Sequence, residues 1–385
     1  MKRTLFLLVC LALVMMVKAQ EQIESIIIAD HDSAYYAQQA QLWQQEVKKR
    51  PKDGNAWRNL YHASFYQSFY TCDGYAATEQ ILKDMEKAIP DEYEYFWCKY
   101  KQLAGGEESF PYAEEALKRL PEQMTFFDYD MMTSYLTMRF DEPRLRDFAK
   151  RYYESGIYSP SVLQYNYNEL QGMDEGGIYF GNGDACLIPK IILQYGKGVH
   201  QDKLVVCLPF LAIPDYRNKL LTRLGIDPRL YQYEQPKSEE DYDRQEREFV
   251  NLIISHTNRP IYFSTFNSEK VNAPWQKNLY NEGLTLRYSP TKYDNMAVMR
   301  RNVEERYLLE YLLESFVPDQ WITANRLSAN YAYRLQDLLS YYKKHNAQRY
   351  KWLMRILMSG IDKATLPEEQ KDHYRQMLSG KKQSL

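Results

Sequence analysis

Three short segments, KKRPKD, KAIPDE and KRLPEQ, repeat one pattern in the N-terminal part of the 385-residue chain. Each has the end of a helix, then Pro51, Pro90 or Pro121, then an acidic or amide residue that opens the next helix. Proline lacks the amide hydrogen that an interior helical turn needs but fits the first turn, so it separates successive helices. Pro160 continues the series, and intervals of roughly 30 to 40 residues are typical of helical repeats.

The pattern predicts a helical repeat domain over residues 20–172, an α-solenoid of about four degenerate hairpins. Its first helix has one apolar stripe, formed by Tyr36, Ala40, Trp43 and Val47. The segment WQQEVKKRPKDGNAWRNLYHA resembles a tetratricopeptide-like repeat, although the glycine and alanine positions match imperfectly. Such arrays mostly bind peptides or proteins in a groove; the alternative is an array that only supports the next domain.

The periodicity changes after residue 172. GGIYF, LVVCLPFL and RPIYFSTF are typical of buried strands, LTLRYSP of a fourth strand, and helical segments lie between the first three. This alternation predicts an α/β domain over residues 173–300, with a small and mostly parallel sheet. Amphipathic helices fill residues 301–385, and the sequence leaves open whether they continue the repeat array or pack on the sheet.

A glycine turn with an acidic residue follows the first predicted strand, in FGNGDACLIP. Ligands of parallel sheets bind beyond the carboxyl ends of the strands. We therefore predict Asn182, Gly183 and Asp184 as ligand-binding candidates, together with Asp215, which lies near the end of the second strand. The alternative is that the glycines supply tight backbone geometry and Asp184 caps the following helix.

No catalytic or cofactor motif accompanies this turn. The third glycine of a dinucleotide fingerprint is missing, and Asp184 would repel a pyrophosphate group. The sequence contains no HExxH, GxSxG or Walker lysine motif. We therefore expect no catalytic residue, no metal and no cofactor, which favours a binding protein over an enzyme. A net charge of −2 also argues against a nucleic-acid partner.

The first 19 residues have the pattern of a secretory signal peptide, with cleavage expected after Ala19. Lys2 and Arg3 precede an apolar run that is shorter than the roughly 20 residues of a membrane span. No later segment is apolar enough to span a bilayer, so we expect an exported protein without a transmembrane segment, located in the periplasm.

Export would permit disulfides. Cys72, Cys98, Cys186 and Cys207 follow the predicted cleavage site, and they form no CxxC or zinc spacing. Cys186 and Cys207 lie near consecutive strands of the predicted sheet, so a disulfide between them is the pairing that we would test first. Buried thiols are the alternative.

Residues 174–290 resemble the soluble C-terminal region of a bacterial envelope family. Its members have a glycosyltransferase-like membrane part, related to protein O-mannosyltransferases and the transmembrane protein 260 group. The matching positions are Asn182, Gly183, Asp184, Pro189, Gln194, Asp202 and the strand through Val206. The family's turn continues with Asn-Asp and Thr, where this sequence has Ala185, Cys186 and Leu187. Because the membrane part is missing from this sequence, the resemblance implies a soluble, non-catalytic relative.

Three functions remain open at this point. The first is an exported adaptor that binds other envelope proteins through its helical repeats. The second is a glycan-related enzyme or accessory subunit that uses the turn at Asp184. The third is a carbohydrate- or peptide-binding protein that uses tyrosine-rich helices, since the chain contains 35 tyrosines and each ring offers apolar area with a polar tip.

Overall fold

The computed structural model describes residues 20–103, 106–316, 319 and 321–379 of the chain. The predicted signal peptide, residues 1–19, lies outside the described residues, and Asp184 and Ala185 are described by their backbone alone. The described residues form 18 α-helices and a five-stranded mixed sheet, which confirms the prediction of helices with a small α/β part. The chain divides into two compact units, residues 1–122 and residues 123–385.

The described part of the first unit is helical. Its helices are α1 (Ser33–Lys49), α2 (Gly54–Thr71), α3 (Ala76–Ala88), α4 (Tyr93–Gln102) and α5 (Phe110–Lys118). Pro51 and Pro90 lie between consecutive helices, as their chemistry requires, and the carboxylates of Asp32 and Asp53 accept hydrogen bonds from the first turns of α1 and α2. Helix α1 packs against α2, α2 against α3, α3 against α4, and α4 against α5.

The second unit begins with three further helices, α6 (Phe126–Met138), α7 (Glu142–Glu154) and α8 (Pro160–Gly172). The predicted boundary at residue 172 therefore falls inside this unit. Pro160 is the first residue of α8, where the hydroxyl of Ser159 accepts a hydrogen bond from the amide of Val162. Helix α8 forms one wall of the candidate functional site.

The sheet consists of β1 (Ile178–Gly181), β2 (Leu204–Cys207), β3 (Ile261–Ser264), β4 (Leu279–Asn281) and β5 (Thr285–Tyr288). Its strand order is β2-β1-β3-β5-β4. Strand β1 runs parallel to β2 and β3, whereas β5 runs antiparallel to β3 and β4.

The sheet is therefore mixed, and the prediction of a mostly parallel sheet is wrong for its second half. Residues 282–284 connect β4 to β5 directly. Such a short connection permits only an antiparallel hairpin, because a parallel pair needs a crossover of a dozen or more residues. Strand β4 was not predicted at all.

Helices connect the three parallel strands. They are α9 (Asp184–Ile191), α10 (Pro214–Arg223) and α11 (Glu239–His256), and the short α12 (Glu269–Asn272) follows β3. Helix α9 begins earlier than the sequence pattern indicated, so Pro189 lies inside it rather than in its first turn. A π-helical segment, Ile192–Lys197, continues α9. Pro189 has no amide hydrogen to donate to the preceding turn, so the regular α-helical hydrogen bonds are interrupted shortly before this segment.

The last helices are α13 (Asn295–Arg301), α14 (Glu310–Leu313), α15 (Ile322–Arg334), α16 (Gln336–His345), α17 (Ala347–Lys363) and α18 (Glu368–Ser379). Helix α13 packs on β4 and α15 packs on α8. The Asn330 amide donates to the Tyr165 hydroxyl at 2.8 Å, and Arg334 donates to the carbonyl of Thr265 just after β3. Among the described residues, no helix combines the length and the apolar character that crossing a membrane requires.

Candidate functional site

The strand order of the sheet reverses between β1 and β3. The chain passes from β1 to β2 on one side, then crosses back to β3 on the other side of β1. In sheets of this type the crevice at such a reversal, beyond the carboxyl ends of the strands, is where ligands bind. The structure has a cavity of about 490 Å³ at this edge, lined by residues that follow both β1 and β3.

Helices from both ends of the second unit complete the cavity. Helix α8 forms one wall, and α15 and α18 face it from the C-terminal part of the chain. Amide, hydroxyl and aromatic side chains predominate in the lining, which consists of Tyr165, Asn166, Glu169, Asn182, Cys186, Phe266, Thr323, Arg326, Leu327, Asn330, Leu366, Gln370 and Tyr374.

The turn that the sequence singled out forms part of this wall. Gly183 has a φ of 91° and a ψ of 167°, a conformation that only glycine adopts readily. Gly181 is also required, since a Cβ atom there would lie 2.8 Å from the ring of Tyr179. This backbone places Asn182 on the cavity surface, where its side chain is exposed.

Glu169 and Lys190 form a buried ion pair beside the cavity. The Lys190 ammonium is fully buried and lies 2.6 Å from a carboxylate oxygen of Glu169. It also donates to the side-chain oxygen of Asn166 at 2.6 Å and to the carbonyl of Cys186 at 3.1 Å. An ammonium has three donors, so this one is saturated, and the pair ties α8 to α9.

The second oxygen of Glu169 accepts a hydrogen bond from the Tyr179 hydroxyl at 3.2 Å. Burial, together with the nearby Glu169 charge, raises the pKa of Tyr179 well above its ordinary value, so the hydroxyl keeps the proton that it donates. The ring of Tyr179 also lies under the Lys190 ammonium, at 4.4 Å from its centroid. Both oxygens of Glu169 are therefore engaged within the protein.

Arg334 brings a second cation to this region. Burial lowers the pKa of its guanidinium, while the charge of Glu169 partly opposes that effect. The Nε atom of Arg334 is buried and has no hydrogen-bond partner among the described residues. The hydroxyl of Thr265, the residue whose carbonyl accepts a hydrogen bond from Arg334, is likewise buried without a partner in the described chain.

The remaining predicted site residues have different environments. Asp215 is in the first turn of α10, where its carboxylate pairs with Arg139 at 2.7 Å and Lys219 at 3.0 Å, and it is not among the described residues of the cavity wall. Asp184 is the first residue of α9, and Gly183 occupies the N-cap position. The Asp184 side chain, and with it the predicted cap or ligand contact, lies outside the described part of the structure.

The predicted disulfide between Cys186 and Cys207 is not formed, and both residues are thiols. The sulfur of Cys186 lies 3.9 Å from the hydroxyl of Ser264 at the end of β3. Cys207 ends β2, which is on the opposite side of β1. The sequence predicts that both cysteines lie near the sheet. In the structure Cys186 is on the β3 side of β1 and Cys207 is on the β2 side, so the two thiols are apart.

Most of the residues around the cavity were not predicted from the sequence. A signal existed for Lys190, since an isolated charge in the apolar run LIPKIIL indicates a buried, paired side chain. Asn166 and Glu169 are three residues apart and therefore share one face of α8. No local signal could have identified Asn330 or Tyr374, because only the packing of α15 and α18 brings them to the sheet edge.

Among the described residues, no cluster of three or more histidine, cysteine or acidic side chains could hold a metal ion. Comparison with protein-family models, curated proteins and solved structures finds no match to this chain. The chemistry of the cavity therefore has to be judged from its own residues.

Proposed function

We propose that the second unit is a binding module that holds a small polar organic molecule in the cavity at the edge of the sheet and does not transform it. The observation that carries this proposal is the position of the cavity, at the strand-order reversal where α/β sheets bind their ligands. Its volume of about 490 Å³ lies within the usual range of roughly 300–1,000 Å³ for small-molecule sites.

The chemistry of the lining supports binding rather than catalysis. Catalysis by a general base needs a carboxylate or an imidazole that can reach the substrate. Each oxygen of the buried Glu169 carboxylate already accepts a hydrogen bond, one from Lys190 and the other from Tyr179, and no histidine is among the described residues that line the cavity. The pair stabilises the walls of the site.

The cellular setting is part of the same proposal. The signal-like first 19 residues support export to the periplasm, and the resemblance of residues 174–290 to a soluble envelope domain supports a role in the cell envelope. Under this proposal the chain is a non-enzymatic envelope protein.

The test is a thermal-shift screen of the purified chain against amino acids, dipeptides, nucleosides and mono- and disaccharides. We expect at least one class to raise the melting temperature, and we expect Asn182→Trp, which fills the cavity from its exposed turn, to abolish the shift. Tyr333→Ala is the matched control, since Tyr333 is exposed on α15 and is not among the described lining residues. A screen without any shift would contradict the proposal.

The helices of the first unit favour a second function. We propose that its helices form a tetratricopeptide-like solenoid that binds a partner protein, in accordance with the adaptor hypothesis. The rings of Phe69 and Tyr70, at the end of α2, are 49% and 38% exposed and their centroids are 5.3 Å apart. Tyr75, just before α3, is 39% exposed and stacks on Phe65 of α2, so this end of α2 has exposed apolar rings of the kind that mark interaction sites.

The adaptor hypothesis requires a partner that depends on this patch. Cross-linking in intact cells, followed by purification of the tagged chain, should recover the same protein repeatedly, and Phe69→Ala with Tyr75→Ala should abolish its recovery without changing the circular dichroism of the chain. Tyr333→Ala, an exposed ring on the second unit outside the described cavity lining, is the control. Recovery that is unchanged by the double variant would exclude the patch as the binding surface.

A further inference from the structure

We infer that the ligand of the cavity is a neutral carbohydrate with at least one ring whose apolar face packs on Phe266. This inference rests on the proposed binding function and names its ligand class. It depends on three observations: the aromatic side chains of the wall, the amide groups with unused hydrogen-bonding atoms, and the pairing of the Glu169 carboxylate within the protein.

The first observation concerns the aromatic rings. Phe266 follows β3, lines the cavity and is 42% exposed, which is unusual for a phenylalanine in a polar wall. Tyr374 lines the cavity from α18 and is half-buried. Sugar rings have one face of C–H groups, and an aromatic ring offers a flat apolar surface of matching size for this face. Two such rings from different elements give a cyclic ligand surfaces on which to stack.

The second observation concerns hydrogen bonding. The side chains of Asn182 and Gln370 line the cavity and make no hydrogen bond to described residues. A carboxamide has two donors and an acceptor oxygen, so it can pair with a hydroxyl in either direction. Asn330 uses its amide nitrogen on Tyr165, and its oxygen has no partner in the described chain. These neutral groups match a ligand with several hydroxyls.

The third observation concerns charge. Glu169 is the acidic side chain among the described lining residues, and its buried carboxylate is bound by Lys190 and Tyr179. A cationic ligand group that paired with Glu169 would have to displace one of these interactions, at the cost of leaving a buried charge unpaired. An uncharged ligand leaves them intact.

A peptide fits this site less well. Extended peptides usually bind by adding a strand to an exposed sheet edge. Strands β2 and β4 form the two edges of this sheet, and neither contributes a residue to the described lining of the cavity. The cavity also lies beyond the carboxyl ends of the strands rather than along an edge.

The experiment is saturation-transfer NMR and calorimetry on the full purified chain. The probes are maltose, cellobiose and mannobiose as neutral disaccharides, glucuronate and glucose 6-phosphate as charged sugars, and alanylalanine as a peptide. We expect a neutral disaccharide to bind, with saturation strongest on its C–H protons, and Phe266→Ala to weaken its affinity roughly tenfold or more. Tyr374→Ala should also weaken it, whereas Tyr333→Ala should leave it unchanged.

The outcomes separate this inference from the proposed function. Binding of the charged sugars or the dipeptide alone, abolished by Asn182→Trp, would overturn the carbohydrate inference and leave the binding function standing. Neutral disaccharides that bind equally to the wild type and to Phe266→Ala would also overturn it. If no probe binds and the broader thermal-shift screen is also negative, both proposals fail. Since Phe266 is exposed, its replacement by alanine should not unfold the chain.

Discussion

At the scale of single residues, Lys190 shows how the chain tolerates a charge in an apolar helix. Its ammonium is fully buried, and its three hydrogen bonds go to Glu169, Asn166 and a backbone carbonyl. A buried ion pair adds little net stability over an apolar pair, but removing one partner leaves the other charge without compensation. The pair is therefore a requirement of the fold rather than a source of reactivity.

The buried pair of Glu169 and Lys190 predicts a non-additive mutant cycle. We expect Lys190→Met to lower the free energy of unfolding by about 3 kcal/mol or more, because Glu169 keeps its charge in a buried site. The double variant Lys190→Met with Glu169→Gln should lose clearly less than the sum of the single variants, as no charge remains unpaired. Urea unfolding of the four proteins measures this. Strictly additive losses would show that the two side chains do not act as a pair.

Glu246 gives the unfolding free energy a pH dependence. It is on α11 and only 7% exposed, and burial, with a smaller effect of the Asp243 charge, raises the pKa of its carboxyl from 4.5 to about 7. The folded state thus binds the proton more tightly than the unfolded state. The resulting stabilisation is fully present below pH 4.5 and is lost as the pH rises towards about 7.

We therefore expect the wild type to lose on the order of 3 kcal/mol of unfolding free energy between pH 4.5 and 7 through this group. Glu246→Gln cannot ionise, so this variant should lack that loss and be the more stable protein at pH 8. Denaturant titrations at pH 5 and pH 8 test the prediction. Glu248→Gln, an exposed position on the same helix, is the control that should keep the wild-type dependence.

At the scale of elements, the turn between β1 and α9 is fixed by backbone geometry. Gly183 has a positive φ with an extended ψ, and a Cβ atom built there would meet no atom within 4 Å. The requirement for glycine is therefore conformational and not a matter of space.

We expect Gly183→Ala to lower the unfolding free energy by about 1–3 kcal/mol and to shift Asn182 on the cavity wall. Gly74→Ala is a useful comparison, since Gly74 also has a positive φ and open surroundings but lies in the first unit. Both variants should lose stability, and only Gly183→Ala should also weaken ligand binding. Unchanged binding would mean that the turn does not position the site.

The helices and strands that the sequence predicted are those whose own residues have a recognisable pattern, such as a proline, an apolar stripe or an apolar run. The prolines and apolar stripes identified the helices of the first unit, and the three apolar runs identified β1, β2 and β3. Strand β4 has three half-buried residues and no alternation, so its pairing with β5 depends on the hairpin and not on its own pattern. The sequence pattern predicts too late a start for helix α9, because proline favours the first turn of a helix whereas Pro189 lies inside this one.

At the scale of the whole molecule, the division into units differs from the predicted domains. Helices α6, α7 and α8 belong to the unit that contains the sheet. Helix α8 supplies Glu169 to the buried pair and Asn166 to the cavity, so the sheet cannot complete its site without it.

This predicts different behaviour for two fragments. Residues 123–385 should fold alone with a single cooperative melting transition and keep the ligand affinity of the full chain. Residues 173–385, which start at the predicted boundary, lack α8 and leave Lys190 buried without its carboxylate, so we expect a fragment that does not melt cooperatively. Calorimetry of both fragments is the measurement. A cooperative transition in the shorter fragment would support the predicted boundary instead.

Local chemistry alone determined the helices of the first unit, strands β1, β2 and β3, the glycine turn after β1, and the approximate place of the candidate site at a strand end. Those features depend on residues a few positions apart, through backbone conformation and side-chain periodicity. Tertiary structure alone decided that α15 and α18 close the cavity, that Glu169 pairs with Lys190, and that Cys186 and Cys207 lie on opposite sides of β1. Many amphipathic helices in this chain have similar apolar faces, so only the packing of the complete unit selects which of them meet.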